Sequence, residues 1–569
     1  MGSISFRRVA LPAVLLVLSA TRIDAQSSLP ASAIRSIDSV FAQYASPTSP
    51  GCAVSVVRDG QLIFEKGYGM SDFQHNVPIT PASIFHVASI SKQFAAMSIV
   101  LLARDGKLSL DDDIRKYLPE MPDFGKTITI RHLIHHTSGL RDQWSLLALG
   151  GWRPDDPKSE ADILALVKRQ RALNFEPGAE HLYSNTGYTL MGTIVQRVSG
   201  KSLRAFTTER IFAPLGMTNT HFHDDHTMIV PGRTSAYQLR PGRGGPGAKR
   251  VDDYMISIPV FDNAGATSLF TTVQDMAKWE GNFLEPKVGD ASVLQQMYER
   301  GKLNNGTEIP YAFALSHGTV RGLRTIGHGG ADAGYRADFV RFPDQKHAFI
   351  TMCNVASANP GLLNREVATA VLGDRMTPIP PRAQAAPAPV EAPIDQAALR
   401  VLAGVYLNEA TQDAAEAEYR DSTKSLHAGR APAAPRFIHV GNNEFVLVNP
   451  NGAQQRYRLV NNTMSMANQP DVTFRRMAPA VITAAKLNEL VGRFHSEELD
   501  VEWEMLSVDG GLRMSRRFTP AQRLTPTYSD AFNGPIGSIR FTRDASGKVD
   551  GFLLSAGRVR NIRFERVGK

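Results

Sequence analysis

A chain of 569 residues exceeds what one hydrophobic core serves and implies roughly two to four domains. With 43% apolar and 21% charged residues it is neither a disordered protein nor a membrane bundle. The net charge of +8 is dispersed without basic runs, which describes a solvated surface and excludes nucleic acid as a partner.

At the N-terminus Arg7 and Arg8 precede an apolar run over residues 9–18, and Ile23-Asp24-Ala25 stands before Gln26. This order of charge, apolar stretch and small residue predicts a signal peptide over residues 1–25, cut after Ala25. The run is too short to span a bilayer, no cysteine stands at the cut for lipidation, and no other segment could span. The expected mature protein is therefore secreted or periplasmic, with no stable membrane span.

The only cysteines, Cys52 and Cys353, lie at ends of strand-like runs over 52–57 and 348–353. If those strands pair antiparallel, the start of one meets the end of the other and a disulfide is expected. Two buried free thiols are the alternative, and counting leaves both open. Residues 52–57 and 61–68 flank Arg58-Asp59-Gly60, whose turn chemistry predicts a hairpin.

Ser89-Ile90-Ser91-Lys92 opens an apolar helix predicted over 89–103. Three residues make nearly one helical turn, so Ser89 and Lys92 share a face within hydrogen-bond reach. A serine needs a base, and a lysine among apolar groups can serve because desolvation disfavours its ammonium form. Ser91 would turn to another face. Further helices are predicted over 161–171, 189–198 and 273–283. Phe175-Glu176-Pro177-Gly178 marks a turn before Tyr183-Ser184-Asn185, which pairs a phenol able to act as acid or base with an amide offering donor and acceptor. His328-Gly329-Gly330-Ala331 lets a substrate lie against strand backbone. A second hairpin is predicted from residues 337–342 and 346–352. Strands at both ends with helices between them indicate an α+β domain closed by its first and last segments.

Residues 377–395, rich in Pro and Ala, form a predicted linker. Beyond it Leu402-Ala403-Gly404-Val405-Tyr406 and Leu490-Val491-Gly492-Arg493-Phe494 open two units that close on Thr473-Phe474-Arg475-Arg476 and Arg563-Phe564-Glu565-Arg566. The units lie about ninety residues apart and alternate like antiparallel strands, so two small β-barrels or two halves of one are expected. The expected units are 26–376, the linker, 396–478 and 484–569.

In chain order, Ser89-x-x-Lys92, Tyr183-x-Asn185 and His328-Gly-Gly330 resemble the penicillin-recognising serine hydrolases: class C β-lactamases, serine DD-peptidases, related esterases and D-aminopeptidases. His135-His136-Thr137-Ser138-Gly139-Leu140, Phe175-Glu-Pro-Gly178 and Gly265-Ala266-Thr267-Ser268 support it, and the resemblance covers about residues 33–375. It implies a β-lactamase/transpeptidase-like α+β fold: a five-stranded antiparallel sheet flanked by helices plus an all-helical part, with the site between them and lipocalin-like antiparallel barrels following. It also implies Ser89 as nucleophile, Lys92 and Tyr183 sharing the acid and base work, and Asn185 on the substrate amide. The N–H groups of Ser89 and Ala331 would form the oxyanion hole, with His328, Gly329 and Gly330 beside the substrate. No cofactor is implied, and the partner is a small-molecule or peptide substrate. Where β-lactamases of this type usually carry Lys-Thr-Gly, this chain has His328-Gly-Gly330, which turns the expectation towards D-residue peptides or amides and leaves esters and β-lactams as alternatives.

His221-Phe222-His223-Asp224-Asp225-His226 matches a zinc-hydrolase pattern, so a metal-dependent hydrolase is a competing expectation. It follows Pro214-Leu215-Gly216-Met217, a phrase similar to one the serine family carries there, and ranks below the serine mechanism. A non-catalytic cell-wall-binding or sensor protein is the remaining alternative.

Overall fold

The computed structural model describes residues 29–243, 250–378, 388–409, 411, 413–449, 453–460, 462–517 and 519–568. The proposed signal peptide and the middle of the Pro/Ala stretch lie outside the described residues.

Helix α1 (Ala31–Phe41) leads into β1 (Cys52–Arg58) and β2 (Gln61–Tyr68), which form the expected hairpin. β1 is buried on both faces, so it reads as a continuous apolar run. Its alternate residues divide between two cores. Val54 and Val56 join Ile37 and Phe41 of α1, whereas Ala53 and Val57 face the helical side of the molecule.

A 3-10 turn over Ala88–Ser91 precedes α2 (Lys92–Arg104), so Ser89 stands in the turn rather than in the α-helix. Helices α3 (Gln143–Leu149), α4 (Asn185–Ser199) and α5 (Val273–Asn282) follow. α2 is buried from Lys92 through Leu102 and α4 from Asn185 through Val195, which places both at the centre of the helical part. Strands β3 (Ser316–Val320), β4 (Leu323–Asp332), β5 (Tyr335–Phe342) and β6 (His347–Cys353) complete the sheet, and α6 (Pro360–Leu372) covers its outer face. The order is β3-β4-β5-β6-β1-β2, antiparallel throughout, with six strands rather than the expected five. The first and last segments do meet: Cys52 is the register partner of Cys353 on β6, and the two are joined in a disulfide.

Helix α7 (Gln396–Leu402) introduces eight strands, β7 (Gly404–Leu407) to β14 (Gln469–Arg476), in a closed barrel. Helix α8 (Ala484–Leu490) introduces nine, β15 (Gly492–Ser496) to β23 (Val559–Arg566), in an antiparallel sheet that curls back so that β15 pairs with β23. The repeat in the sequence has a structural cause. Arg476 of β14 donates to the Ala403 carbonyl and Arg566 of β23 to the Val491 carbonyl, so each unit's last strand is tied to its first by the same contact.

The second barrel shares a core with the helical part of the first unit, since Phe494, Trp503 and Phe564 belong to the apolar cluster that includes α2 and α4. At the seam Arg141 and Glu498, 1% and 5% exposed, form an ion pair, and Arg141 also donates to the Arg560 carbonyl at 2.8 Å.

Candidate active site

Backbone geometry sets the serine. Ala88 has φ 47°, a left-handed value that costs an ordinary residue roughly 1–2 kcal/mol, and it turns the chain into the 3-10 segment carrying Ser89. Ser91 points away, accepting from the Leu269 N–H at 3.0 Å.

Lys92 is fully buried and its Nζ donates to Ser89 Oγ at 3.1 Å, to Asn185 Oδ1 at 2.9 Å and to the Ala266 carbonyl at 2.6 Å. Burial pulls its pKa down to about 7, with Asp142 opposing and Arg558 assisting. Tyr183 is oppositely affected. Burial raises its phenol above the usual value, and neighbouring Ser89 and Arg558 pull it only partway back. The Lys92 ammonium lies 5.0 Å from the Tyr183 ring centre.

The His-His-Thr-Ser-Gly, Glu-Pro-Gly and Gly-Ala-Thr-Ser segments act as supports. His136 packs against Tyr183 with ring centres 4.1 Å apart and the rings tilted by 37°, and its Nδ1 accepts the Ser184 N–H at 3.1 Å. The Gly178 N–H donates to the Thr137 carbonyl at 2.7 Å, which docks the Glu-Pro-Gly turn on the His-Thr-Ser-Gly loop. Thr267 donates to Asp332 Oδ2 at 2.9 Å.

Asn185 sits at the start of α4 with both ends of its amide engaged: Oδ1 takes Lys92, and Nδ2 and the backbone N–H both donate to Asp142 Oδ2 at 2.8 Å. The second Nδ2 hydrogen has no protein acceptor among the described residues. β3 pairs with β4 only as far as Gly327, so residues 328–332 present an uncovered strand edge beside Ser89. A Cβ on Gly330 would stand 2.2 Å from the Val87 carbonyl, so only glycine allows the edge to come this close to the serine turn.

His328 packs beneath this edge. Its Nε2 lies 3.0 Å from Tyr311 Oη and its Nδ1 2.6 Å from the Gly329 carbonyl, an arrangement that assigns the proton to Nδ1. Burial pushes its pKa down to about 4, so it is neutral near pH 7 and supplies no cation.

The cleft, about 190 Å³, is lined by Ser89, Trp144, Tyr183, Asn185, Ala331, Asp332 and, from the second barrel, Arg558. Asp142, Asp332 and Arg558 were not legible as site residues in the sequence. Asp332 directly follows the Gly-Gly-Ala run and could have been suspected from it; nothing near Arg558 in the chain signals a site. The zinc pattern is not assembled. His221 and His223 pack on Phe270, while His226 turns to Asp262 at 2.8 Å. Among the described residues the cluster able to gather three ligand atoms is Asp225, His226 and Asp262, which shares only two residues with that pattern.

A family model described as beta-lactamase matches residues 37–373. The chain belongs to the beta-lactamase family. It is an enzyme of the serine hydrolase type, and among its relatives is the D-aminopeptidase of Brucella anthropi, 24% identical over 91% of this chain and 95% of that one. A D-aminopeptidase of Cereibacter sphaeroides is 27% identical over 91% and 96%. The fold is similar to that of the octameric penicillin-binding protein homologue from Pyrococcus abyssi, with a TM-score of 0.53 at 21% identity, covering 76% of this chain and 97% of that one. These two D-aminopeptidases are matched over 95% and 96% of their own length, so the likeness of this beta-lactamase-family hydrolase to them reaches well beyond the residues of the family model.

Proposed function

We propose that the protein is an exported D-residue-directed peptidase or amidase acting through an acyl-enzyme on Ser89. The observation that carries this reading is the buried Lys92 ammonium, 3.1 Å from Ser89 Oγ with its pKa pulled to about 7. Near neutral pH a large fraction of Lys92 is the free amine, whereas the Tyr183 phenol keeps its proton. Lys92 therefore takes the Ser89 proton as Oγ bonds to the carbonyl carbon, and the oxyanion forms against the N–H groups of Ser89 and Ala331. As the C–N bond breaks, Tyr183 gives its proton to the departing nitrogen and recovers one from the Lys92 ammonium. Water then attacks the ester, losing its proton to Lys92, which passes it to Ser89 Oγ as the acyl C–O bond breaks and the acid leaves.

The substrate class rests on three supports. Relatives matching nearly the whole chain are named D-aminopeptidases. The Asp332 carboxylate, held by Thr267 and by His86 at 3.2 Å, gives the cleft a negative wall suited to a free amino group. Neutral His328 removes the cation that a β-lactam carboxylate would meet on this strand. Export is supported by the charge and apolar pattern of the N-terminal segment and by the Cys52–Cys353 disulfide, which suits an oxidising compartment.

The test is a turnover panel of D-amino-acid amides, D-Ala-D-Ala peptides, their L-counterparts, nitrocefin and short p-nitrophenyl esters, with Ser89→Ala as the blank. Ser89-dependent hydrolysis of D-amides is expected. Hydrolysis confined to L-peptides or to nitrocefin overturns the reading, and activity that survives Ser89→Ala but falls to a chelator replaces it with a metal mechanism.

A further inference from the structure

The second barrel reaches the reacting groups. The turn between β22 (Val549–Ala556) and β23 carries Gly557 and Arg558, and Arg558 lines the same cleft as Ser89 and Tyr183. The turn is fixed from both sides. Gly557 has φ 56° and a Cβ there would stand 3.1 Å from Ser145 Oγ of α3. The Arg558 carbonyl accepts Asn174 Nδ2 at 3.0 Å, and the Arg560 N–H donates to Asn174 Oδ1 at 2.9 Å. Such anchoring delivers the side chain to a set place instead of leaving it to solvent.

The guanidinium lies 4.9 Å from the centre of the Tyr183 ring. Its one protein hydrogen bond among the described residues is a long one, Nη1 to Asp142 Oδ2 at 3.5 Å. That oxygen is already occupied by the backbone N–H and Nδ2 of Asn185, each at 2.8 Å. The side chain is 43% exposed, so most of its five donors face the cleft or water. With His328 uncharged and Lys92 committed to Ser89, Asn185 and Ala266, Arg558 is the cation left to meet a ligand. Asp332 is the opposite charge in the lining.

We propose that Arg558 binds a carboxylate carried by the leaving group, so that the substrates are amides or esters whose departing half is an acid, a free amino acid being the natural case. This rests on the Ser89 acyl-transfer reading. The side of the scissile bond follows from Tyr183: the phenol that protonates the departing atom is the ring on which the guanidinium lies, so an anion held there belongs to the departing half. A planar guanidinium takes a carboxylate through two parallel N–H donors, which fixes orientation as well as charge. The same cation disfavours the Lys92 ammonium, which ties occupancy of this position to the base.

The experiment compares two activated esters differing in the leaving group, meta-acetoxybenzoate and meta-acetoxybenzamide, with wild type, Arg558→Ala, Arg558→Lys and Arg558→Glu. The same enzymes are then given D-Ala-D-Ala and its C-terminal amide. The expected kcat/KM ratio of acid over amide in wild type is roughly 10- to 100-fold above that of Arg558→Ala, from the loss of one charge-assisted contact. Arg558→Lys retains part of the preference and Arg558→Glu inverts it. The difference is expected in KM for the charged member of each pair. An unchanged ratio in Arg558→Ala overturns the inference, as does an Arg558→Glu variant that still prefers the acid. A charge preference on the esters with no cleavage of D-peptides upholds the carboxylate position and overturns the D-residue reading; cleavage of D-amides without a charge preference does the reverse.

Discussion

Glu498→Ala removes one partner of the ion pair that seats the second barrel on the catalytic unit. Arg141 and Glu498 are 1% and 5% exposed, and burial lowers the pKa of the first and raises that of the second despite their pairing. Both shifts say that desolvation outweighs the Coulomb gain. The pair as a whole is then close to neutral against a well-packed apolar pair, but a lone buried guanidinium costs about 3–5 kcal/mol. Arg141 keeps the Arg560 carbonyl at 2.8 Å, so the lower end, about 3 kcal/mol, is the appropriate magnitude. In a cooperative unit of this size that is a fall of about 3 °C in the melting midpoint. The double variant Arg141→Met with Glu498→Leu should recover most of the loss. The assay is thermal unfolding by near-UV circular dichroism for wild type, Glu498→Ala, the two singles Arg141→Met and Glu498→Leu, and the double. A Glu498→Ala variant that melts with wild type, or a double variant as unstable as the sum of its two singles, refutes the lone-charge account.

On the proposed mechanism Lys92→Met deprives Ser89 of its base, and kcat for D-amides should fall roughly 10²- to 10⁴-fold while the protein still melts cooperatively. Because the base must be uncharged and its pKa lies at about 7, kcat/KM should rise tenfold per pH unit below that value and level above it; a profile flat from pH 5 to 9 would exclude Lys92 as the base. Paired Cys52→Ala and Cys353→Ala substitutions open a crosslink spanning 301 residues and should cost about 2–5 kcal/mol, read by urea unfolding with and without reductant.

The parts legible in the sequence were those with local chemistry or periodicity. Turn residues at 58–60 announced the first hairpin, the one-turn spacing of Ser89 and Lys92 gave their proximity, and the Leu-x-Gly openings gave two β units. The sixth strand, β3, escaped because Ser316–Val320 contains glycine and polar residues and is mostly exposed at the sheet edge, with little apolar alternation to reveal it. The start of α2 was set three residues early because the strained φ of Ala88 carries no compositional mark. Arg558 was illegible for another reason. It lies 469 positions from Ser89, in one of several similar turns, and only the docking of a separate barrel gives that turn a place in the cleft.

The Cys52–Cys353 link makes the polypeptide between those residues a covalently closed ring, with Ser89, Lys92, Tyr183, Asn185 and the 328–332 edge all inside it. Arg558 alone among the cleft's charged groups lies outside, on a tail joined to the ring by one run of backbone. A single nick anywhere within the ring leaves its halves covalently attached, whereas a nick between residues 377 and 395 divides the site into two molecules. After such a cut the supply of Arg558 would become a binding equilibrium between fragments, dependent on concentration and on the Arg141–Glu498 seam.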